Sequence, residues 1–261
     1  MALLTRRALG TARPARRILG TALLGASLSL PLAASPASAV VGGTPAPAAR
    51  YPWLGAVGSP VFFVRPAGQF CGGALVGPDR LLTSAHCVGL LRDLPGLLNV
   101  TFGRDDLAGK GGETVAVKSV RVHPGYRETK FKDETVPHHD LAVLTLARRV
   151  NRPVVAVGSP GSARTGRVAG WGTTSEDDLF NTRLRDAQVP LPGDAACRRA
   201  YGASYDPADM VCAGSPKADT CQFDSGGPLL AAGRLAGLTS WAYGCARPGY
   251  PGVYARLDSL P

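Results

Sequence analysis

Apolar residues along this chain come in short runs bounded by turn formers: Val61–Val64, Gly73–Val76, Asn99–Phe102, Thr114–Val122, Leu141–Leu146, Val154–Val157, Leu235–Trp241 and Gly252–Arg256. Runs of this length read as strands. In "TVAVKSVRV", Val115 and Val117 share one face; Val120 and Val122 then resume a period of two after slipping by one residue, as a β-bulge produces. The pattern predicts only two short helices, Val88–Leu91 and Gly193–Tyr201 ("GDAACRRAY"). No helical period is sustained elsewhere, so the expected class is all-β, a barrel or a sandwich.

Composition sharpens this picture. The 33 glycines and 22 prolines among 261 residues suit tight turns between strands, and 45% apolar residues are enough for a packed core. The first 39 residues obey different rules. Arg6, Arg7, Arg13, Arg16 and Arg17 precede an apolar run from Ile18 to about Leu32, and Ala37-Ser38-Ala39 forms a small-x-small cleavage site. Residues 1–39 are expected to be a secretory signal peptide, with paired arginines that also suit twin-arginine export. Ser27, Ser29 and Pro31 interrupt the run, which argues against a membrane span.

Removing that leader, with its five arginines and no acids, lowers the formal net charge from +10 to +5. The remaining basic residues are scattered among acids, unlike the stripe of a nucleic-acid binder. All six cysteines, Cys71, Cys87, Cys197, Cys212, Cys221 and Cys245, lie in the exported part. An even number in an oxidising compartment predicts three disulfides and leaves their connectivity open. No CxxC pair suggests zinc.

Three residues stand out for chemistry. His86 follows an apolar strand in "LLTSAHC", Asp140 opens "DLAVLTL", and Ser225 sits in "DSGGP". A hydroxyl nucleophile needs a base to take its proton and an acid to orient that base. These types occur here in the order His, Asp, Ser.

The motifs "VVGG" (Val40–Gly43), "TSAHC" (Thr83–Cys87), "HDLAVLTL" (His139–Leu146), "AGWG" (Ala169–Gly172), "DTCQ" with "DSGGPL" (Asp219–Leu229), "TSW" (Thr239–Trp241) and "PGVY" (Pro251–Tyr254) run across the whole chain after residue 39. In this order the chain resembles a trypsin-like serine protease of the chymotrypsin family, of the bacterial secreted kind. The resemblance implies one protease domain over 40–261, made of two antiparallel six-stranded β-barrels with the active site in the cleft between them. It implies the disulfides Cys71–Cys87, Cys197–Cys212 and Cys221–Cys245. In the implied roles Ser225 attacks the scissile carbonyl, His86 is general base and then acid, and Asp140 orients the imidazole, assisted by Ser240.

The resemblance also implies an oxyanion hole from the backbone N–H groups of Phe223 and Ser225. Asp219 would lie at the bottom of the primary specificity pocket, walled by Ser240, Trp241, Ala242 and Gly252, so that cleavage follows Arg or Lys. Val40 and Asp224 would form an ion pair once the Ala39–Val40 bond is cut, and the signal-peptidase site falls on that bond. Protein or peptide substrates and protein protease inhibitors are the implied partners, with no cofactor, no nucleic acid and no membrane; the expected state is a secreted monomer.

Departures and side-readings qualify this. Phe223 stands where the family has glycine, and Ala242 where trypsins have glycine. The first leaves a rival, an impaired protease homologue acting as a secreted binding protein. An α/β-hydrolase esterase is a weaker rival, because its G-x-S-x-G elbow needs glycine at 223 and its triad order differs. Relatives continue beyond "GVYARLDSLP" into a C-terminal helix. Finally, His138 and His139 beside Asp140 read as solvent-exposed loop residues, not as metal ligands; "GRDDLAGKGGET" (Gly103–Thr114) has no trusted calcium spacing; and Asn99 opens a glycosylation acceptor pattern.

Overall fold

The computed structural model describes residues 40–178 and 180–257. The expected leader over 1–39 and the extreme C-terminus lie outside the described residues. Among those described, no helix is long and apolar enough to cross a membrane.

The elements run β1 (Thr44–Pro45), β2 (Leu54–Gly58), β3 (Gln69–Gly77), β4 (Arg80–Thr83), α1 (Ala85–Val88), β5 (Asn99–Phe102), β6 (Glu113–Val122), β7 (Arg127–Phe131), β8 (Glu134–His138) and β9 (Ala142–Leu146). They continue with β10 (Thr165–Gly170), β11 (Arg185–Pro190), α2 (Asp194–Tyr201), β12 (Met210–Ala213), β13 (Pro228–Ala231), β14 (Arg234–Trp241) and β15 (Gly252–Arg256).

Six strands close into an antiparallel barrel in the order β2-β3-β4-β9-β6-β5. Its interior is filled by alternate side chains such as Val57, Leu75, Leu81, Val100, Phe102 and Leu144, all essentially inaccessible. In β6, Val115 and Val117 are buried while Thr114 and Ala116 face solvent. The register against β9 then slips between Val117 and Ser119, the bulge that the broken period predicts.

The second half is an antiparallel sheet ordered β1-β11-β10-β13-β14-β15-β12, with the two-residue β1 as its seventh strand. Val168, Val189, Val211, Leu229 and Tyr254 form its core. The sheet curls enough that Gly214, just after β12, donates its N–H to Pro190 O at the end of β11, 3.0 Å away. The architecture is thus mostly β with two barrel-like sheets, the first with a closed strand ladder. The three disulfides are Cys71–Cys87, Cys197–Cys212 and Cys221–Cys245, with no free cysteine among the described residues.

Several local expectations need correction. Val61–Val64 is an exposed loop, with Phe63 90% accessible, and Val154–Val157 is irregular apart from one bridge at Val157. Apolar content alone does not make a strand when no partner edge is nearby. The first helix spans Ala85–Val88 and passes into a single 3-10 turn over Gly89–Leu91, earlier than expected, because the cysteine side of the sequence carries the helix. The hairpin β7–β8 carries mostly exposed polar residues in its first strand, so it left no apolar signature. Its Phe131 nevertheless packs edge-on against Tyr201, ring centroids 5.3 Å apart.

Candidate active site

The barrel supplies two of the expected residues. His86 sits in α1, which follows directly from β4, and its neighbour Cys87 is stapled to β3 through Cys71. Asp140 lies just before β9 and is 1% accessible. Its Oδ2 accepts from His86 Nδ1 at 2.7 Å and from Ser240 Oγ at 2.6 Å, while Oδ1 accepts from the His86 main-chain N–H at 2.8 Å. A carboxylate only accepts, so His86 carries its proton on Nδ1 and leaves Nε2 as the basic nitrogen.

Burial opposes the His86 imidazolium, but the Asp140 charge and hydrogen bond outweigh it and hold the ring above its ordinary range. Burial likewise opposes the Asp140 carboxylate, yet the His86 charge and its hydrogen bonds hold it below the usual range. The two groups are therefore pushed apart, one basic and one ionised.

The second sheet supplies Ser225, on the segment between Cys221 and β13. That segment is clipped to both halves of the fold. Ser225 O accepts from Gly72 N of β3 at 2.7 Å, and Gly226 N donates to Thr239 O of β14 at 2.8 Å. Gly226 is needed twice over: its φ is +74°, and a Cβ there would run into Thr83 Oγ1 and Gly72 O.

His86 and Ser225 line one open cleft of about 640 Å³, with Thr135, Ser240, Trp241 and Ala242 on its walls. No hydrogen bond joins His86 Nε2 to Ser225 Oγ among the described residues; Nε2 has Cys87 Sγ at 3.6 Å. Such pairs are commonly long without substrate and tighten when one binds.

Asp219 has no accessible surface. Its Oδ1 accepts from Thr220 N at 2.9 Å and its Oδ2 from Ala246 N at 3.1 Å. A Cβ on Gly252 would meet Asp219 Oδ1, so glycine is required for this close approach. Burial pushes the Asp219 carboxyl up to about 7, against the main-chain amides that oppose the shift. Thr220 and Cys221, next in the chain, line the cleft.

Asp224 is equally buried, accepting from Gly172 N at 2.8 Å and Cys221 N at 3.1 Å. Burial raises it to about 7 as well, with the Arg65 charge pulling the other way. Val40 is fully buried beside Val168 and Leu229, and Val41 O accepts from Asp219 N at 3.1 Å.

Phe223 has φ +70°, in the left-handed region that favours glycine. The histidine expectation fails: His138 is only 5% accessible, and His139 is half-buried with its ring stacked on His123 at 5.0 Å. Asp209 reaches across from the second half, accepting from His139 N at 2.7 Å, and so anchors the residue before Asp140. The one three-ligand grouping among the described residues is Cys71, His86 and Cys87, whose sulfurs are bonded to each other.

Sequence reasoning missed Arg65 and Gln69, both buried beside Phe223, and the β7–β8 hairpin whose tip residues Asp133 and Glu134 line the cleft. A lone arginine beside "VFF" carries no local sign that it turns inward.

The family model for Trypsin matches residues 40–260. A trypsin of Saccharopolyspora erythraea is 39% identical over 230 residues, covering 84% of this chain and 94% of the relative. A trypsin-like protease of Streptomyces glaucescens is 35% identical over 266 residues, covering 97% and 91%. Among solved structures, neuropsin, a serine protease of mouse brain, superposes with a TM-score of 0.70 at 31% identity, covering 83% of this chain and 94% of its own. The chain belongs to the trypsin family. It is a trypsin-like serine endopeptidase.

Proposed function

We propose that this protein is a secreted endopeptidase that cleaves after Arg or Lys by a Ser225–His86–Asp140 triad and an acyl-enzyme intermediate. The observation that carries this reading is the hydrogen-bonded line Ser240–Asp140–His86, which ends on the same cleft as Ser225. His86 Nε2 takes the Ser225 hydroxyl proton as Oγ bonds to the scissile carbonyl carbon. The Nδ1 proton stays between the ring and Asp140, whose charge stabilises the imidazolium. The carbonyl oxygen, now negative, accepts from the N–H groups of Phe223 and Ser225. His86 then protonates the leaving amine, and the C–N bond breaks. Water, deprotonated by the same nitrogen, cleaves the ester and restores Ser225.

Specificity rests on Asp219. A buried carboxyl raised to about 7 lacks a strong charge partner, and a substrate guanidinium or ammonium group is what would complete it. Asp224 is in the same condition, and the Val40 amine freed by cleavage would supply its cation. Cleavage after Ala39 by signal peptidase would then both export and activate the chain, with no separate zymogen.

Phe223 at a positive φ favours one rival, a binding protein on a protease scaffold. Labelling Ser225 with a covalent serine-directed phosphonate separates the two. The reading requires labelling of the secreted protein and faster hydrolysis of Arg than of Phe peptide esters. An unlabelled, correctly cut protein ends it; equal turnover of both esters ends the specificity.

A further inference from the structure

Phe223 is the third residue of a turn closed by Asp224 N donating to Cys221 O at 3.1 Å. A positive φ at the third position makes this a type II turn, where glycine is the default. The alternative, a type I turn, keeps the same closing hydrogen bond but reverses the peptide plane between Gln222 and Phe223. The Phe223 N–H would then point the opposite way. A phenylalanine left to itself favours the type I form, since its Cβ is crowded at positive φ. Something in this fold must hold the other one.

The neighbouring contacts hold three sides of the turn. Gln222 O accepts from Thr173 N at 2.9 Å, which fixes the central peptide. Phe223 O accepts from Gln69 Nε2 at 2.8 Å, which fixes the next. The Phe223 ring lies under the Arg65 guanidinium, 4.2 Å from Cζ to the ring centroid, an attractive cation–π arrangement. Arg65 and Gln69 are themselves one unit: Arg65 Nε donates to Gln69 Oε1 at 2.9 Å, and Arg65 Nη2 donates to Trp171 O at 2.7 Å and Asn181 O at 2.6 Å. Arg65 is 4% and Gln69 1% accessible, so neither can swing away without vacating a packed site.

We infer that Arg65 and Gln69 are positioning residues that clamp Phe223 in the left-handed turn and so keep its N–H aimed at the oxyanion. This rests on the proposed oxyanion role of Phe223. The clamp does by contact what glycine does by conformational freedom, and it uses the extra side chain as its handle. A phenylalanine at this position is thus compatible with turnover only alongside a buried cation and a buried amide donor.

The test is a double-mutant comparison on the secreted, correctly cut enzyme, reading kcat and KM on an Arg peptide ester, the phosphonate labelling rate and the thermal midpoint. Full loss of one oxyanion donor costs about 10²–10³ in kcat, so partial loss in Gln69→Leu should cost about 10- to 100-fold, with KM changed by less than about threefold. In the Phe223→Gly background, where the turn needs no clamp, the same Gln69→Leu change should cost less than about threefold in kcat. Arg65→Lys keeps a cation on the ring and should retain most activity, whereas Arg65→Met should behave like Gln69→Leu. Equal losses in both backgrounds, or no loss with Phe223 present, would overturn the clamp. Should Gln69→Leu fail to fold, the Arg65→Lys and Arg65→Met pair decides, and equal kcat in those two overturns it. A wild-type enzyme that does not label at all removes both the protease reading and the clamp, whereas a labelled wild type with equal losses removes the clamp alone.

Discussion

The two halves of the site differ in how completely the chain furnishes them. Around Asp140 every partner is internal: the His86 ring, the His86 amide and Ser240 all lie within 2.8 Å of the carboxylate, which is held ionised. Along 219–225, two buried carboxyls are met chiefly by main-chain amides and rise to about 7. The difference teaches that the acid–base half is built ready, whereas the recognition half is built short of cations. In the proposed function those cations come from outside the folded core, one from a cut chain end and one from a substrate, which would make the second half conditional where the first is not.

The sharpest way to break this contrast is to remove the internal partner. Asp140→Asn should favour the wrong His86 tautomer and lower kcat about 10⁴-fold with little change in KM; steady-state kinetics on an Arg ester check it. On the recognition side, Asp219→Asn should lower kcat/KM for Arg and Lys esters by about 10²- to 10⁴-fold, since it strips one member from a buried ion pair worth about 3–5 kcal/mol. Labelling by a small neutral phosphonate should change far less, because that reagent carries no cation. If both substitutions reduce labelling alike, the two halves are not separable in this way.

A chain left uncut before Val40 should have lower activity, by about 10²-fold or more on the same ion-pair scale. N-terminal sequencing beside active-site titration measures this, and an active enzyme beginning upstream of Val40 would remove the proposed pairing with Asp224. Ala242→Gly should raise kcat/KM for Arg and Lys esters about 10-fold, the lower end of what one methyl group in a pocket is worth.

The pH dependence should show the same division. His86 must be neutral to act as base, and Asp140 holds it above the 6.5 of an ordinary imidazole. The acid limb of kcat/KM should therefore lie above that value and fall below it in Asp140→Asn. Asp219 and Asp224 are raised from 3.8 to about 7, so the folded state binds their protons more tightly than the unfolded chain. Their contribution to stability is complete below about 4 and is lost as pH rises through about 7. An uncut chain should accordingly show a urea midpoint that drops across this window. In the proposed function the cut chain should drop less, because the Val40 ammonium would keep Asp224 ionised.

Much of this was legible beforehand, for identifiable reasons. β5 and β15 have the bounds of the apolar runs that announced them, and the bulge in β6 followed from the slipped period. His86, Asp140, Asp219 and Ser225 each stand in a motif whose neighbours are local in sequence. The β7–β8 hairpin was invisible because half of it buries nothing, and Val61–Val64 misled because an apolar run with no strand beside it remains a loop. His138 was misjudged because its neighbours in space are distant in sequence: Asp209, 71 residues away, lies 3.4 Å from its Nδ1.

The amino-acid order by itself determined the class of fold, the trypsin family, the cysteine set and the candidate reactive groups, since periodicity and motif are short-range properties of a chain. Only the tertiary structure decided what surrounds those groups. That Asp140 is paired with the His86 ring while Asp219 and Asp224 are met chiefly by main-chain amides, and that Phe223 lies clasped between Arg65 and Gln69, are consequences of segments distant in sequence meeting in a low-dielectric interior. Burial and hydrogen bonding there set charge and backbone conformation, and neither can be read from the residues one at a time.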